Sequence, residues 1–277
     1  MYKNVLAAVN EHLNSEVSAR YALHLAKEAG SRIFFCSIAE NGLGKKSFHL
    51  AEEAVSRLSH RARELGVKAD CILKTGDPIT QIKKIVADEG IDIAFAATRR
   101  EDVEKRFYAR TVSRRLSLAL PCSVALVHVV HLGRGHPRNI LVPLKARMDH
   151  IAERARFAAL MAAAFDARLS LFHSAKPQKR FFLGEVHLTP QEWEARLPVD
   201  IARFNDELDR QGIAYDKKLT PGAAGLTITI EAAAKRHDLI IMGASDRSLL
   251  RSLFKGNPVE RVLRGTICDL IILRPKM

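Results

Sequence analysis

Thirteen positions separate Gly243 from Gly256 in the stretch GASDRSLLRSLFKGNP, and basic residues are scattered between them. Glycine admits positive φ and lets a backbone N–H come close to an anion. Glycines flanking a strand-to-helix connection are therefore what a phosphate cradle needs. The apolar run DLIIM leads in, and VERVLRG, with helical spacing, leads out. Gly243, Ala244 and Ser245 would offer backbone groups. Gly256, Asn257 and Pro258 would shape a helix N-terminus that receives phosphates, with Arg247 and Lys255 as charge partners. Asp246 works against this, because a carboxylate repels phosphate unless a cation such as Mg2+ bridges them. The same residues also read as a helix start with no ligand. Asn257 is a good N-cap, Pro258 suits the first helical position, and Glu260 completes a capping box. Both readings stand at this point.

Other clusters promise less chemistry. GLGKKS, from Gly42 to Ser47, lacks the spacing of a P-loop and reads as a flexible loop. TGDP, at Thr75 to Pro78, reads as a strand-to-helix turn with Asp77 as cap, and PGAAG from Pro221 is its counterpart. The eleven histidines show no metal-ligand spacing, and HLGRGH reads as a solvated linker. His173 and His237 sit singly at strand ends and read as structural. Arg99 to Arg115 holds seven basic and three acidic residues, a mixture that pairs with itself on a solvated surface. No general base or metal cluster appears at a usable spacing, so the expectation is a protein that is not an enzyme.

The elements that must position these residues come in two copies. NVLAAV at Asn4 and NILVPL at Asn139 are offset by 135, and DIAFAAT at Asp92 and DLIIMGA at Asp238 by 146. The second copy thus carries eleven extra residues, placed near Ala175 to Glu194. The expected domains are 1–131 and 139–277, joined by a linker at 132–138 that is rich in Gly, Pro and charge. In the first copy, apolar strand runs fall at Val5–Val9, Ile33–Ile38, Lys68–Leu73, Ile91–Ala97 and Ser123–Val129. Helical periodicity falls between them, at about 14–29, 48–65, 79–89 and 111–118. The second copy repeats the scheme. Short continuous Val/Ile/Leu strands separated by helices imply a parallel sheet covered on both faces. Right-handed crossovers then give α/β architecture: two tandem doubly wound domains, each with a five-stranded parallel sheet. Ligands of such sheets bind beyond the carboxyl ends of the strands, where the strand order reverses. The opening motif lies there, and Pro143 and Leu144, ending the first strand of the second copy, would line the same mouth.

Composition narrows the classes further. Hydrophobic residues make up 47% of 277 positions, enough for a packed core. The most apolar run, Leu118 to Val130, is interrupted by Pro, Ser and His and is too short to span a bilayer. No signal peptide is visible, so a soluble cytoplasmic protein is expected. Cys36, Cys71, Cys122 and Cys268 all lie in apolar runs and read as buried free thiols. Net charge is +13, shared between the halves, which favours anionic ligands without choosing among them. Aromatics are only 6%, so single-strand stacking has no platform and nucleic acid is not the expected partner.

On NVLAAV, NILVPL, HDLIIMGAS and GNPVERVLRGTICDLIIL, both halves resemble the universal stress protein domain, and together they cover nearly the whole chain. The resemblance implies an adenine-nucleotide-binding fold that acts in stress signalling without strong catalysis. It also implies a dimer fused into one chain, the last strands of the halves pairing. Members that hold nucleotide carry G-x2-G-x9-G-[S/T] after the fourth strand and an Asp after the first. Here Gly243 and Gly256 match, while Asp246 and Asn257 depart from the pattern. In the first copy the positions are Ala97, Arg100, Arg110 and Thr111, of which only Thr111 fits. Asn10 and Lys145 replace the Asp. The resemblance therefore implies ATP, with Mg2+, in the second half only. The rival expectation is a nucleotide-independent scaffold that binds a protein or lipid partner. A further homodimer is compatible with either.

Overall fold

Val, Ile, Leu and Phe fill the strands so continuously because the sheet is covered on both faces. In a computed structural model, residues 1–40, 44–98, 111–133, 136–175, 197–221, 223–244 and 258–276 are described. The first half comprises β1 (Asn4–Ala8), α1 (Leu13–Ala29), β2 (Arg32–Ala39), α2 (Lys45–Glu64), β3 (Ala69–Thr75), α3 (Pro78–Asp88), β4 (Ile93–Thr98), α4 (Val112–Ala119) and β5 (Ser123–His128). The second comprises β6 (Asn139–Leu144), α5 (Ile151–Ala164), β7 (Arg168–Ala175), α6 (Val199–Arg210), β8 (Tyr215–Pro221), α7 (Ala224–Ala234), β9 (Leu239–Gly243), α8 (Pro258–Gly265) and β10 (Asp269–Arg274). Every strand run read from the sequence is present, with ends moved by a residue or two.

The strands form one sheet in the order β3-β2-β1-β4-β5-β10-β9-β6-β7-β8. Each half is parallel and doubly wound, and the halves join through antiparallel β5 and β10, with Ile272 opposite Leu126. That is the pairing expected of a fused dimer. One carboxylate device recurs in both halves. Asp92 accepts from the backbone N–H groups of Lys3 and Asn4, at 2.6 and 3.0 Å, and Asp238 from those of Arg138 and Asn139, at 2.9 and 3.1 Å. Each ties the start of its fourth strand to the start of its first.

Two apolar layers cover the sheet. On one face α1 packs against α5 across the join, and Phe95 meets Phe157 with ring centroids 6.2 Å apart. Val17, Tyr21, Ala22, Leu25 and Ala26, the expected face of α1, are all buried. Each large apolar side chain so buried contributes about 1.5–3 kcal/mol relative to exposure. Buried polar groups at the join are paired. Tyr21 donates to Asp269 at 2.8 Å, and the same carboxylate accepts from the N–H groups of Val130 and His131. Burial raises the Asp269 pKa despite these donors. Tyr2 and Ser123 both donate to Glu153.

Three expectations need correction. Cys36, Cys122 and Cys268 are buried, but Cys71 is exposed, because β3 is a terminal strand of the sheet. Burial pushes the Cys36 thiol up to about 12 and those of Cys122 and Cys268 to about 11, so these three are inert. Lys45, Lys46 and Ser47 of GLGKKS are not loop but the first turn of α2, with Gly44 at its N-cap. The second long helix of the second copy, expected from 191, is described from Val199, and the eleven-residue insertion lies largely outside the described residues. Asp77 caps α3 as expected, accepting from the Thr80 N–H at 2.9 Å.

Candidate functional site

The mouth of the second half opens because β6 and β9 pair over only part of their length. Their register stops at Leu141 opposite Ile240, leaving Val142–Leu144 and Ile241–Gly243 unpaired with each other at the carboxyl ends. Pro143, which has no N–H, sits in this unpaired part. The Leu144 carbonyl accepts from His173 Nδ1 at 2.9 Å, so His173 is structural, as read, and carries its proton on Nδ1. Of the remaining expected site residues, Gly243, Ala244 and Pro258 are described. Ser245, Asp246, Arg247, Lys255, Gly256 and Asn257 lie outside the described residues, as do Arg100 and Arg110 of the first copy. Pro258 opens α8 as a first helical residue, and Glu260 pairs with Arg264 at 2.7 Å.

Sequence reasoning missed the residue at the centre of this mouth. Arg154, in the first turn of α5, is only 8% exposed and lies across the ends of β9 and β10. Its Nη2 donates to the Ala244 carbonyl at 3.0 Å and its Nη1 to the Leu273 carbonyl at 3.3 Å. Nε donates to the Asp149 carbonyl at 2.8 Å, and Nη2 also reaches the Asp149 carboxylate at 2.5 Å. A Cβ on Gly243 would sit 1.9 Å from Nη1. The absent side chain of Gly243 is thus the space that Arg154 fills. The Ala244 N–H is also engaged, donating to the Leu273 carbonyl at 2.9 Å. A signal existed in the sequence: an arginine within an alanine-rich helical run, fourteen residues before β7, where the first half has Ser18 fourteen residues before β2.

The electrostatics of this mouth are positive. Burial raises the Asp149 carboxyl, but the Arg154 hydrogen bond and charge outweigh burial and hold it below its ordinary value. Lys145 is an exposed residue whose pKa is lowered by partial desolvation and then by repulsion from Arg154, with Asp149 partly offsetting this. Lys145, Arg147 and Arg154 thus stand against Asp149 and Asp200, whose carboxylate accepts from the Met148 N–H at 2.8 Å.

The first half has the same mouth, differently filled. Asn10 spends its side chain inside the β1–α1 connection, accepting from the His12 N–H at 3.0 Å. Thr98, fully buried at the end of β4, meets His128 Nδ1 at 3.1 Å. Thr111 caps α4, its hydroxyl accepting from the Arg114 N–H at 3.3 Å. Ser18 is buried, and its hydroxyl has no partner among the described residues. Glu16 is clamped by Arg57 and Arg20, each at 3.0 Å. Neither mouth carries a group of three or more metal-ligating side chains among the described residues. A cavity of about 340 Å³ lies elsewhere, between Phe48, Leu73, Lys74, Thr75 and Gln81, at the end of β3.

The universal stress protein family model matches residues 1–128 and 137–274. No curated protein matches the sequence. A universal stress protein of Archaeoglobus fulgidus is similar over 99% of this chain and 96% of its own, with a TM-score of 0.66 at 17% identity. A functionally unknown protein of Pseudomonas aeruginosa is similar over 99% and 93%, with a TM-score of 0.67 at 18% identity. The cytoplasmic domain of a prokaryotic cation chloride cotransporter is similar over 100% and 96%, with a TM-score of 0.57 at 13% identity. At such identities the likenesses establish the shared fold.

Proposed function

The chain belongs to the universal stress protein family, and from that premise we propose that it is a regulatory binding protein whose second domain takes ATP or a related adenine nucleotide weakly, as its magnesium complex. The observation that carries this reading is the positive mouth between β6 and β9, where Lys145 and Arg154 stand beside the Asp149 carboxylate. Lys145 forms no ion pair among the described residues and would meet the phosphates. The start of α8 at Pro258 would receive them, since helix N-termini favour anions. Pro143, Leu144 and Gly243 would line the mouth. Binding is weak on this reading because Arg154 already occupies the face of Gly243, and the Ala244 N–H is committed to β10. The first domain, lacking the glycines and filled by its own side chains, serves as structural partner. The test is calorimetric titration of the full chain with ATP and Mg2+. One saturable site per chain is expected, weakened about tenfold or more by Lys145→Glu, since charge reversal beside phosphate costs over about 1.4 kcal/mol.

A second reading has its own observation. Gly243 is explained by Arg154 without any ligand, which favours a nucleotide-independent scaffold that binds a protein or lipid partner. No heat up to millimolar ATP would select it.

A further inference from the structure

The two outer strands of the sheet are not alike. β8 carries Asp216, Lys217 and Lys218, all exposed, and charges of this kind keep a sheet edge from pairing. β3 reads Ala69-Asp-Cys-Ile-Leu-Lys-Thr75, with Cys71, Leu73 and Thr75 exposed. At its two ends the Lys68 carbonyl and the Gly76 N–H bond to β2. By strand alternation, Asp70, Ile72 and Lys74 then turn their backbone groups towards β2. Ala69, Cys71, Leu73 and Thr75 turn theirs outward, where they have no backbone partner among the described residues.

We propose that this edge pairs with the β3 edge of a second copy, antiparallel, about a two-fold axis at Ile72. The heptapeptide is complementary to itself in that register. Asp70 lies opposite Lys74 of the other copy and Lys74 opposite its Asp70, while Cys71 and Leu73 lie opposite each other on the other face. The backbone agrees with the side chains. The outward-facing pairs Cys71–Leu73 and Ala69–Thr75 become the hydrogen-bonded pairs. Ile72–Ile72 and Asp70–Lys74 become the non-hydrogen-bonded pairs, whose side chains approach more closely. Asp70 already meets Arg32 through Oδ2, but its Oδ1 makes no hydrogen bond among the described residues. Lys74 forms no ion pair there. Opposite charges directly across an antiparallel ladder attract, and the two-fold supplies the pair twice.

Other pairings of the two edges fit less well. A two-fold at the centre of β8 sets Lys218 against Lys218. β3 against β8 in the matching register sets Ile72 against Lys218 and keeps one charge pair, Lys74 with Asp216. That contact is also heterologous and would continue into open chains, whereas β3 with β3 closes at two copies. The surface is independent of both domain mouths, so its fate and that of nucleotide binding are separable.

Sedimentation of the full chain from about 10 to 300 µM should show a monomer–dimer equilibrium that stops at two, of the strength a small interface gives. Lys74→Asp should weaken it by about tenfold or more, with circular dichroism and melting unchanged, because it replaces two attractive pairs by two repulsive ones. Mixing Lys74→Asp with Asp70→Lys should restore a heterodimer that neither variant forms alone. Ile72→Cys in a Cys71→Ser background should oxidise to a covalent dimer, since opposed non-hydrogen-bonded residues lie about 4.5 Å apart. The wild type should not cross-link, since diagonal Cys71 residues lie about 7–8 Å apart. A monomer throughout the range, a dimer indifferent to Lys74→Asp, assembly beyond two copies, or a dimer of the Ile72→Cys variant that fails to cross-link would each overturn the proposal.

Discussion

Replacing Gly243 by alanine tests the role of Arg154. The backbone at Gly243 is outside the positive-φ region, so the main chain itself accepts a side chain. The added Cβ would lie 1.9 Å from Arg154 Nη1 and 2.7 Å from Cζ, so the guanidinium must leave. Its departure unpairs the Ala244 carbonyl and takes from the Leu273 carbonyl one of its two donors, the Ala244 N–H remaining. Hydrogen bonds from a charged donor are worth about 1.5–3 kcal/mol each, and partial rehydration of the loop returns part of that. The net cost is about 2–4 kcal/mol, or roughly 3–7 °C in melting temperature for a chain of this size. Thermal and urea melts of Gly243→Ala, Arg154→Ala and the double variant measure it. Arg154→Ala alone should cost about as much, because the same carbonyls lose the same donors. In that background Gly243→Ala should cost less than about 0.5 kcal/mol, giving a coupling of about 2–3 kcal/mol. Equal costs of Gly243→Ala with and without Arg154 would refute the claim that the glycine exists to seat the guanidinium.

Two further outcomes concern pH. Burial raises the Glu16 carboxyl, but its hydrogen bonds to Arg57 and Arg20 outweigh burial and leave it below its ordinary value of 4.5. The stability this adds is complete above that value and is lost as pH falls through the lowered one, so the gap in urea midpoint between wild type and Glu16→Gln should narrow on acidification. A gap that is constant or widens refutes the clamp. His24 packs against Phe165 and His136, with ring centroids 4.7 and 4.9 Å away. Burial, then the repulsion of His136, Arg61 and Lys27, lowers its pKa from 6.5 to about 4. Stability from the neutral ring is whole above about 6.5 and is lost as pH falls towards 4. A ring titration by NMR should find its midpoint near 4, and a midpoint above 6 refutes the packing argument.

Apolar runs broken by helical periods, repeated at near-constant offset, were enough to place all ten strands and their two-fold duplication. A doubly wound half has few ways to bury such runs, and right-handed crossovers leave few strand orders. The cap at Asp77 was equally local, since its carboxylate acts on a backbone N–H three residues on, whereas the ties of Asp92 and Asp238 to the first strand of each half span about a hundred positions and came only with the fold. The mouth was different. Gly243 looked like a ligand residue from its spacing, but its neighbour is Arg154, eighty-nine positions earlier in the chain. Periodicity cannot say which distant side chain fills the volume a missing Cβ leaves. Cys71 was misread for the same reason. Its run, KADCIL, carries Lys68 and Asp70 among its apolar residues, and the strand order, which puts β3 at the rim, leaves the thiol exposed. The sequence by itself determined the elements, their duplication and the fold. The tertiary structure alone decided which side chains meet at the mouths and which edge stays bare, because those depend on contacts between segments whose local patterns carry no record of each other.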